Sequence, residues 1–196
     1  MTGWIGRRRP LLTAAAVAVV VVNVVWGGAR PADLLTPRLA AEFLVPWLLF
    51  LVGVGVRAWG AGNLRKNREI TDSGVYRMVR HPLYTGSLCV LLGFLLAAGD
   101  ILLGLALFAG VCLVFYTALR QEEGRLMERF PSQAGGYSGR PRLVPDLRRL
   151  PEAIRSDRFS LLMAYRNLGL RSVWLLAGIP LFLEALEWLG RYRGAG

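Results

Sequence analysis

The residues best equipped for chemistry lie in the run Gly74-Val75-Tyr76-Arg77-Met78-Val79-Arg80-His81-Pro82-Leu83-Tyr84-Thr85-Gly86. His81 is the only histidine of the 196 residues, and Tyr76, Arg80 and Tyr84 stand close to it. The run falls where a polar basic segment gives way to a long apolar one, the pattern of a chain passing from water into lipid. An imidazole, phenols and guanidinium groups at the mouth of an apolar helix can hold a polar ligand on one side and an apolar one on the other. A second group, Arg120, Glu122 and Glu123, follows the next apolar stretch. Taken singly, each residue has a plainer role: a histidine before proline at an interface, tyrosines in an interfacial belt, glutamates on a solvated face. Taken together, with Gly86 permitting close backbone approach, they point to a site.

Those two groups meet only if the chain between them folds back on itself. From Leu83 to Leu119 the sequence is apolar except around Gly99-Asp100. One unbroken helix of that length would overrun a hydrocarbon core of about 30 Å. The sequence therefore predicts a hairpin of two helices, Leu83 to Ala98 and Ile101 to Leu119, which returns Glu122 and Glu123 to the side of His81.

Composition sets the class. Hydrophobic residues make up 54% of the chain, and the mean hydropathy is positive, too apolar for a soluble domain of this length. The expectation is a single integral membrane domain over 1–196, all-α, a polytopic helical bundle of about five spans. The formal net charge of +11 is carried by arginines in the gaps between apolar runs. That is the positive-inside bias, whereas a nucleic-acid partner needs a contiguous basic face, so no nucleic acid is expected. Cys89 and Cys112 lie in apolar segments and read as small buried hydrophobes. One histidine and no Cys-x-x-Cys pair leave a metal without ligands, so no metal is expected.

In chain order, Arg7-Arg8-Arg9 precedes an apolar run from Leu11 to Trp26, read as a retained first helix rather than a signal peptide because more membrane protein follows. A second span runs from about Leu39 to Ala61, with Pro46 expected to kink it and Gly53, Gly55, Gly60 and Gly62 offering faces for helix packing. Arg57 near its end either snorkels or points into the bundle, and residue type alone favours snorkelling. Asn63 to Arg80 is a polar, basic connection. After the hairpin, Arg120 to Phe130 extends the fourth helix, Pro131 to Pro145 is not regular helix, and Glu152 to Leu170 forms an amphipathic helix on the membrane. A fifth span covers Val173 to Leu189. Five crossings from a cytoplasmic start place both basic loops, and the site, in the cytoplasm, with the chain in the inner membrane.

The pattern Gly74-x-Tyr76-x-x-x-Arg80-His81-Pro82-x-Tyr84-x-Gly86, followed by Glu122-Glu123-x-x-Leu126-x-x-x-Phe130 and Tyr137-x-x-Arg140-Pro141-Arg142-x-x-Pro145, resembles the isoprenylcysteine carboxyl methyltransferase and phospholipid methyltransferase family. The resemblance covers about 51–145, leaving 146–196 as an amphipathic segment plus a last transmembrane helix. It implies a membrane-embedded enzyme that uses S-adenosyl-L-methionine on a membrane lipid or hydrophobic small molecule. It also implies a cofactor pocket formed by Arg68, Glu69, Ile70, Thr71, Tyr76, His81, Pro82, Leu83, Tyr84, Gly86, Glu122 and Glu123. Arg120 and Arg142 are the candidate catalytic cations facing the acceptor. Ala118 stands where the carboxyl-methylating members carry an arginine. Ala134 replaces the first tyrosine usual after Phe130.

Two other readings compete. Membrane sterol reductases that bind NADPH resemble the same motif but carry Asn at the position of Leu83 and an acid at that of Ser87. A non-catalytic protein could use the arginine-rich loops to bind anionic headgroups.

Overall fold

The computed structural model describes residues 15, 18–27, 29–35, 40–66, 69–168 and 171–194. Every regular element among them is helical. The helices are α1 (18–26), α2 (Ala41–Asn63), α3 (Pro82–Ala97), α4 (Ile101–Arg129), α5 (Ala134–Ser138), α6 (Leu150–Arg155), α7 (Leu161–Leu168) and α8 (Arg171–Gly194). Two of them, α2 and α4, are long and apolar enough to cross a membrane, and α3 is a shorter apolar helix. Their apolar side chains are largely unburied: Leu48 is 62% exposed, Leu102 82% and Leu113 70%. A soluble protein would hide such surface, whereas lipid solvates it. Arg7-Arg8-Arg9 and the start of the first apolar run lie outside the described residues, as do Leu39, Arg68, Gly169 and Leu170.

The chain forms two compact units. One comprises Met1–Phe50, Leu91–Ala118 and Leu175–Gly196, the other Leu51–Val90 and Leu119–Trp174.

In the first unit the predicted hairpin is present. Gly99 adopts φ +85°, open to glycine and strained for other residues. Asp100 then caps α4, its Oδ1 accepting from the amide of Leu103 at 3.0 Å. Its other oxygen accepts from Asn23 Nδ2 at 3.1 Å, and the amide of Ala32 donates to the carbonyl of Ala97 at 2.7 Å. The Phe94 and Phe182 rings pack 6.4 Å apart.

In the second unit α2 and α3 cross closely. A Cβ on Gly53 would lie 2.6 Å from the Gly86 carbonyl oxygen, and one on Gly60 3.1 Å from Pro82, so these glycines are small because a helix passes there. Among the described residues nothing outside its own helix lies within 4 Å of where a Cβ on Gly55 would stand. Arg57 does not snorkel. Its Nη1 donates to the carbonyl of Leu83 at 3.2 Å and to the hydroxyl of Ser87, because α3 supplies partners that make an inward guanidinium tolerable in an apolar setting.

The segment after Pro131 also departs from expectation. Ala134–Ser138 forms a short helix despite Gly135 and Gly136. The amphipathic helix expected over Glu152 to Leu170 is broken into α6 and α7. The break carries bonds to the end of α2: Asp157 Oδ1 accepts from Asn63 Nδ2 at 2.7 Å and from Trp59 Nε1 at 3.1 Å, and the Ser160 amide donates to the carbonyl of Gly62 at 3.1 Å. Asn167 Nδ2 then caps α2, donating to the carbonyls of Ala61 and Leu64 at 2.8 and 3.2 Å. Tertiary bonds to otherwise orphaned carbonyls outweigh helical continuity here.

Candidate functional site

The site is built on a turn. Asn63, fully buried at the end of α2, accepts from Ser73 Oγ at 3.1 Å and from the Arg158 amide at 2.9 Å. Gly74 follows with φ +56°, and a Cβ there would lie 2.5 Å from Asn63 Nδ2. Glycine is thus needed for both conformation and space. A 3₁₀ turn, Gly74–Arg77, then carries Tyr76 with its side chain buried, and Pro82 begins α3 immediately after His81. α6 packs over the turn.

Two ion clusters hold this turn. In the first, the Asp72 carboxylate pairs with Arg140 Nη2 at 2.6 Å and Arg77 Nε at 3.1 Å. Arg140 Nη1 also donates to the carbonyl of Tyr76 at 2.9 Å. Burial pushes the Arg140 guanidinium below its ordinary range, and Asp72 opposes that shift. In the second, Glu123 projects inward from α4, 4% exposed. Arg80 Nη1 approaches its Oε1 at 3.1 Å, and His81 Nε2 lies 3.2 Å from the same atom. Arg142 grips it with Nε at 3.2 Å from both oxygens and Nη2 at 3.1 Å from Oε2. The segment around Arg142 is pinned too. The Arg80 amide donates to the carbonyl of Pro141 at 2.9 Å, the His81 amide to that of Arg142 at 3.3 Å, and Thr85 Oγ1 to that of Leu143 at 2.7 Å.

Tyr137, 3% exposed, completes the cluster. Its hydroxyl lies 3.1 Å from His81 Nε2, and Arg80 stacks over its ring at 5.4 Å. His81 Nε2 cannot serve both neighbours in one tautomer: protonated it donates to Glu123, bare it accepts from Tyr137. Burial holds the imidazole below its ordinary range, against the opposing pull of Glu122 and Glu123, so the ring is biased toward neutrality. Burial also raises both tyrosines, with Glu122 adding to the shift of Tyr76 and Glu123 to that of Tyr137, so both phenols stay protonated.

The paired glutamates therefore differ. Glu123 is engaged by three cationic or titratable partners, whereas Glu122 is exposed and makes no hydrogen bond or ion pair among the described residues. Its charge nonetheless adds to the upward pull on Tyr76, His81 and Tyr137. Tyr84, half-buried, meets the His81 ring edge to face at 5.9 Å. Of the proposed residues, His81 and Tyr84 are in contact, Tyr76 is buried on the preceding turn, and Glu122 is exposed one position before Glu123. Ile70 and Thr71 are buried in the connection before the turn, where the Ile70 amide donates to Gln133 Oε1 at 2.8 Å, while Glu69 is exposed. Pro82 and Gly86 are buried in the α2/α3 crossing, and Leu83 offers its carbonyl to Arg57. Of the candidate catalytic cations, Arg120 is exposed and Arg142 is committed to Glu123. Arg68 lies outside the described residues.

Four structural residues were not assigned from the sequence: Asn63, Asp72, Tyr137 and Asp157. For Tyr137 the signal was present in the Tyr137-x-x-Arg140 spacing, which places both on the segment facing His81. Asn63 and Asp157 carry no local signal. Among the described residues no group of three or more His, Cys, Asp or Glu side chains could hold a metal ion.

Much of α2, α3 and α4, with the turn at His81 and with Glu123, falls in a region that matches a known family, whereas Tyr137, Arg140 and Arg142 lie just beyond it. Residues 44–133 match the phospholipid methyltransferase family model, in keeping with the sequence resemblance. Across nearly its whole length the chain is also similar to the nickel-cobalt-cadmium resistance protein NccN of Alcaligenes xylosoxydans xylosoxydans, 28% identical over 193 residues that cover 95% of this chain and 86% of that protein. No solved structure gives a significant match.

Proposed function

We propose that the protein is a membrane-embedded, S-adenosylmethionine-dependent methyltransferase acting on a lipidic or hydrophobic acceptor such as a phospholipid. In this reading the bundle has about five spans, and the turn at His81 faces the cytoplasm, where its arginines belong. The observation that carries it is Glu122, an exposed carboxylate with no hydrogen bond or ion pair among the described residues, one position before Glu123, which is bonded to Arg80, His81 and Arg142.

The donor set suits the cofactor. Tyr76, His81, Tyr84 and the segment 69–71 would line it, and Glu122 would attract its ammonium or accept from its ribose hydroxyls. When bound, S-adenosylmethionine supplies an electrophilic methyl group on a sulfonium. The protein's own part is positioning and exclusion of water, which suffices when the acceptor is already a good nucleophile. Neutral His81 and protonated Tyr76 add no positive charge where a cationic ligand must sit. Ala118, 1% exposed, offers no charge at the position that faces a carboxylate in carboxyl-methylating enzymes. Arg142 is engaged by Glu123, and Arg120 is exposed on α4.

NADPH chemistry has less support. Ser87, where sterol reductases carry an acid, accepts from Arg57 within the helix crossing.

Calorimetric titration of the detergent-purified protein with S-adenosylhomocysteine should show saturable binding that is lost in Glu122→Gln. Incubation with methyl-labelled cofactor and a lipid extract, followed by separation, should then place label on one lipid class. Stabilisation by NADPH but not by S-adenosylhomocysteine would overturn the assignment.

A further inference from the structure

Beyond the residues that match the family model, residues 144–166 present an apolar surface that no other part of the second unit covers. Val144, Leu147, Ile154, Leu161, Leu162 and Tyr165 are between 61% and 78% exposed, and α7 has no buried residue at all. An exposed apolar patch of this kind marks an interaction surface. Its charge is biased: Arg148, Arg149, Arg155, Arg158 and Arg166 face three acids, Asp146, Glu152 and Asp157. Two of those acids are already used. Asp146 pairs with Arg149, and Asp157 is bonded to Asn63 and Trp59. The guanidinium groups of Arg148, Arg155, Arg158 and Arg166 make no ion pair among the described residues.

The height of the patch is fixed by its bonds. Ser160 and Asn167 attach to the last carbonyls of α2, an apolar helix of 23 residues. At 1.5 Å per residue α2 rises about 35 Å, just beyond a hydrocarbon core of about 30 Å. Whatever is bonded to its end therefore lies at headgroup depth, where leucine and tyrosine can enter the acyl boundary and arginine can reach phosphate.

We propose that residues 144–166 form an interfacial foot that docks on an anionic lipid surface, its apolar side chains in the acyl boundary and its arginines on headgroup phosphates. The proposal rests on the membrane part of the proposed function and is independent of methyl transfer.

The test uses the full chain with Cys89→Ala and Cys112→Ala, in lipid nanodiscs of phosphatidylcholine alone or with about a third of phosphatidylglycerol. An environment-sensitive fluorophore is placed at Leu162→Cys, and in a second protein at Leu102→Cys on α4. Quenching by aqueous iodide is the readout. Docking predicts that the label at 162 is several-fold better protected in anionic discs than in neutral ones. Each arginine contributes about fivefold to docking at low salt, so Arg155→Gln with Arg158→Gln should abolish the difference while leaving the label at 102 shielded in both lipids. Equal and full quenching at 162 in both lipids, with 102 shielded, overturns the foot and leaves the membrane reading intact. Exposure of both labels overturns both. Protection at 162 that appears only with two copies per disc would assign the surface to self-association and overturn lipid docking.

Discussion

Adjacent glutamates on one helix should respond oppositely to the same substitution. Glu123→Gln removes the charge shared by Arg80 at 3.1 Å, His81 at 3.2 Å and Arg142 at 3.1–3.2 Å while keeping the shape of the side chain. Breaking a buried ion pair by neutralising one partner costs about 3–5 kcal/mol, because the other charge stays behind without compensation. Arg80 meets that description, with its side chain 12% exposed. Arg142, at 41%, can turn to water, so its share falls toward the ~0–1 kcal/mol of a surface pair. The sum lies near the lower bound, about 3 kcal/mol. For a chain of this length 1 kcal/mol moves the unfolding midpoint by roughly 2–4 °C, so Glu123→Gln should lower Tm by about 6–12 °C. Glu122→Gln touches an exposed, unbonded side chain and should stay within about 0.5 kcal/mol, or roughly 2 °C. The assay is thermal unfolding in detergent with and without S-adenosylhomocysteine. The ligand should raise Tm in wild type and not in Glu122→Gln. Equal midpoints for the two glutamine variants would refute the division of labour between these carboxylates.

Other outcomes follow from the same geometry. His81 is held below its ordinary pKa by burial, so the unfolded chain takes up its proton first. The stability this contributes is complete above about pH 6.5 and is lost as pH falls toward the folded value. His81→Asn should flatten the fall in Tm on the acid side of neutrality, and an unchanged slope would exclude His81 as its source. Tyr137→Phe keeps the buried ring under Arg80 and loses one hydroxyl contact, costing about 1 kcal/mol by thermal unfolding, whereas Tyr137→Ala should cost several times more. Gly74→Ala forces a left-handed residue against Asn63 and should cost at least about 2 kcal/mol, while Gly55→Ala, which meets open space, should be neutral or slightly stabilising in the same assay.

Much of this architecture was legible in the sequence because single residues carried two concordant signals. Gly99-Asp100 marks a break both by backbone freedom and by a side chain able to cap the next helix, and α3 and α4 end and begin within a residue of the expected positions. The meeting of His81 with Glu123 followed from that break. The phase of α4 was not legible. Successive residues differ by about 100° around a helix, so a sequence alone does not say which of two neighbouring glutamates turns inward. Arg57 was misplaced because its partners, Leu83 and Ser87, lie on another helix and are invisible to residue type. The break between α6 and α7 was missed for a related reason: the amphipathic period runs through it, but Asp157 and Ser160 gain more by bonding the end of α2.

The Glu123 cluster makes more sense as a positioning device than as a source of stability. Three cationic or titratable groups around one buried carboxylate contribute little net stability compared with apolar packing of the same volume. What they contribute is direction. Arg80 donates through Nε to the Arg140 carbonyl at 2.5 Å and through Nη2 to the Ser138 carbonyl, so Glu123 ties α4 to the 138–142 segment and both to the turn before α3. With those three pieces locked, His81 and Tyr84 keep a fixed edge-to-face angle, and Glu122, one residue from the anchored Glu123, is carried on the same frame. If Glu122 binds the ligand as proposed, its lack of any internal bond on a rigid frame means that no contact must be broken first.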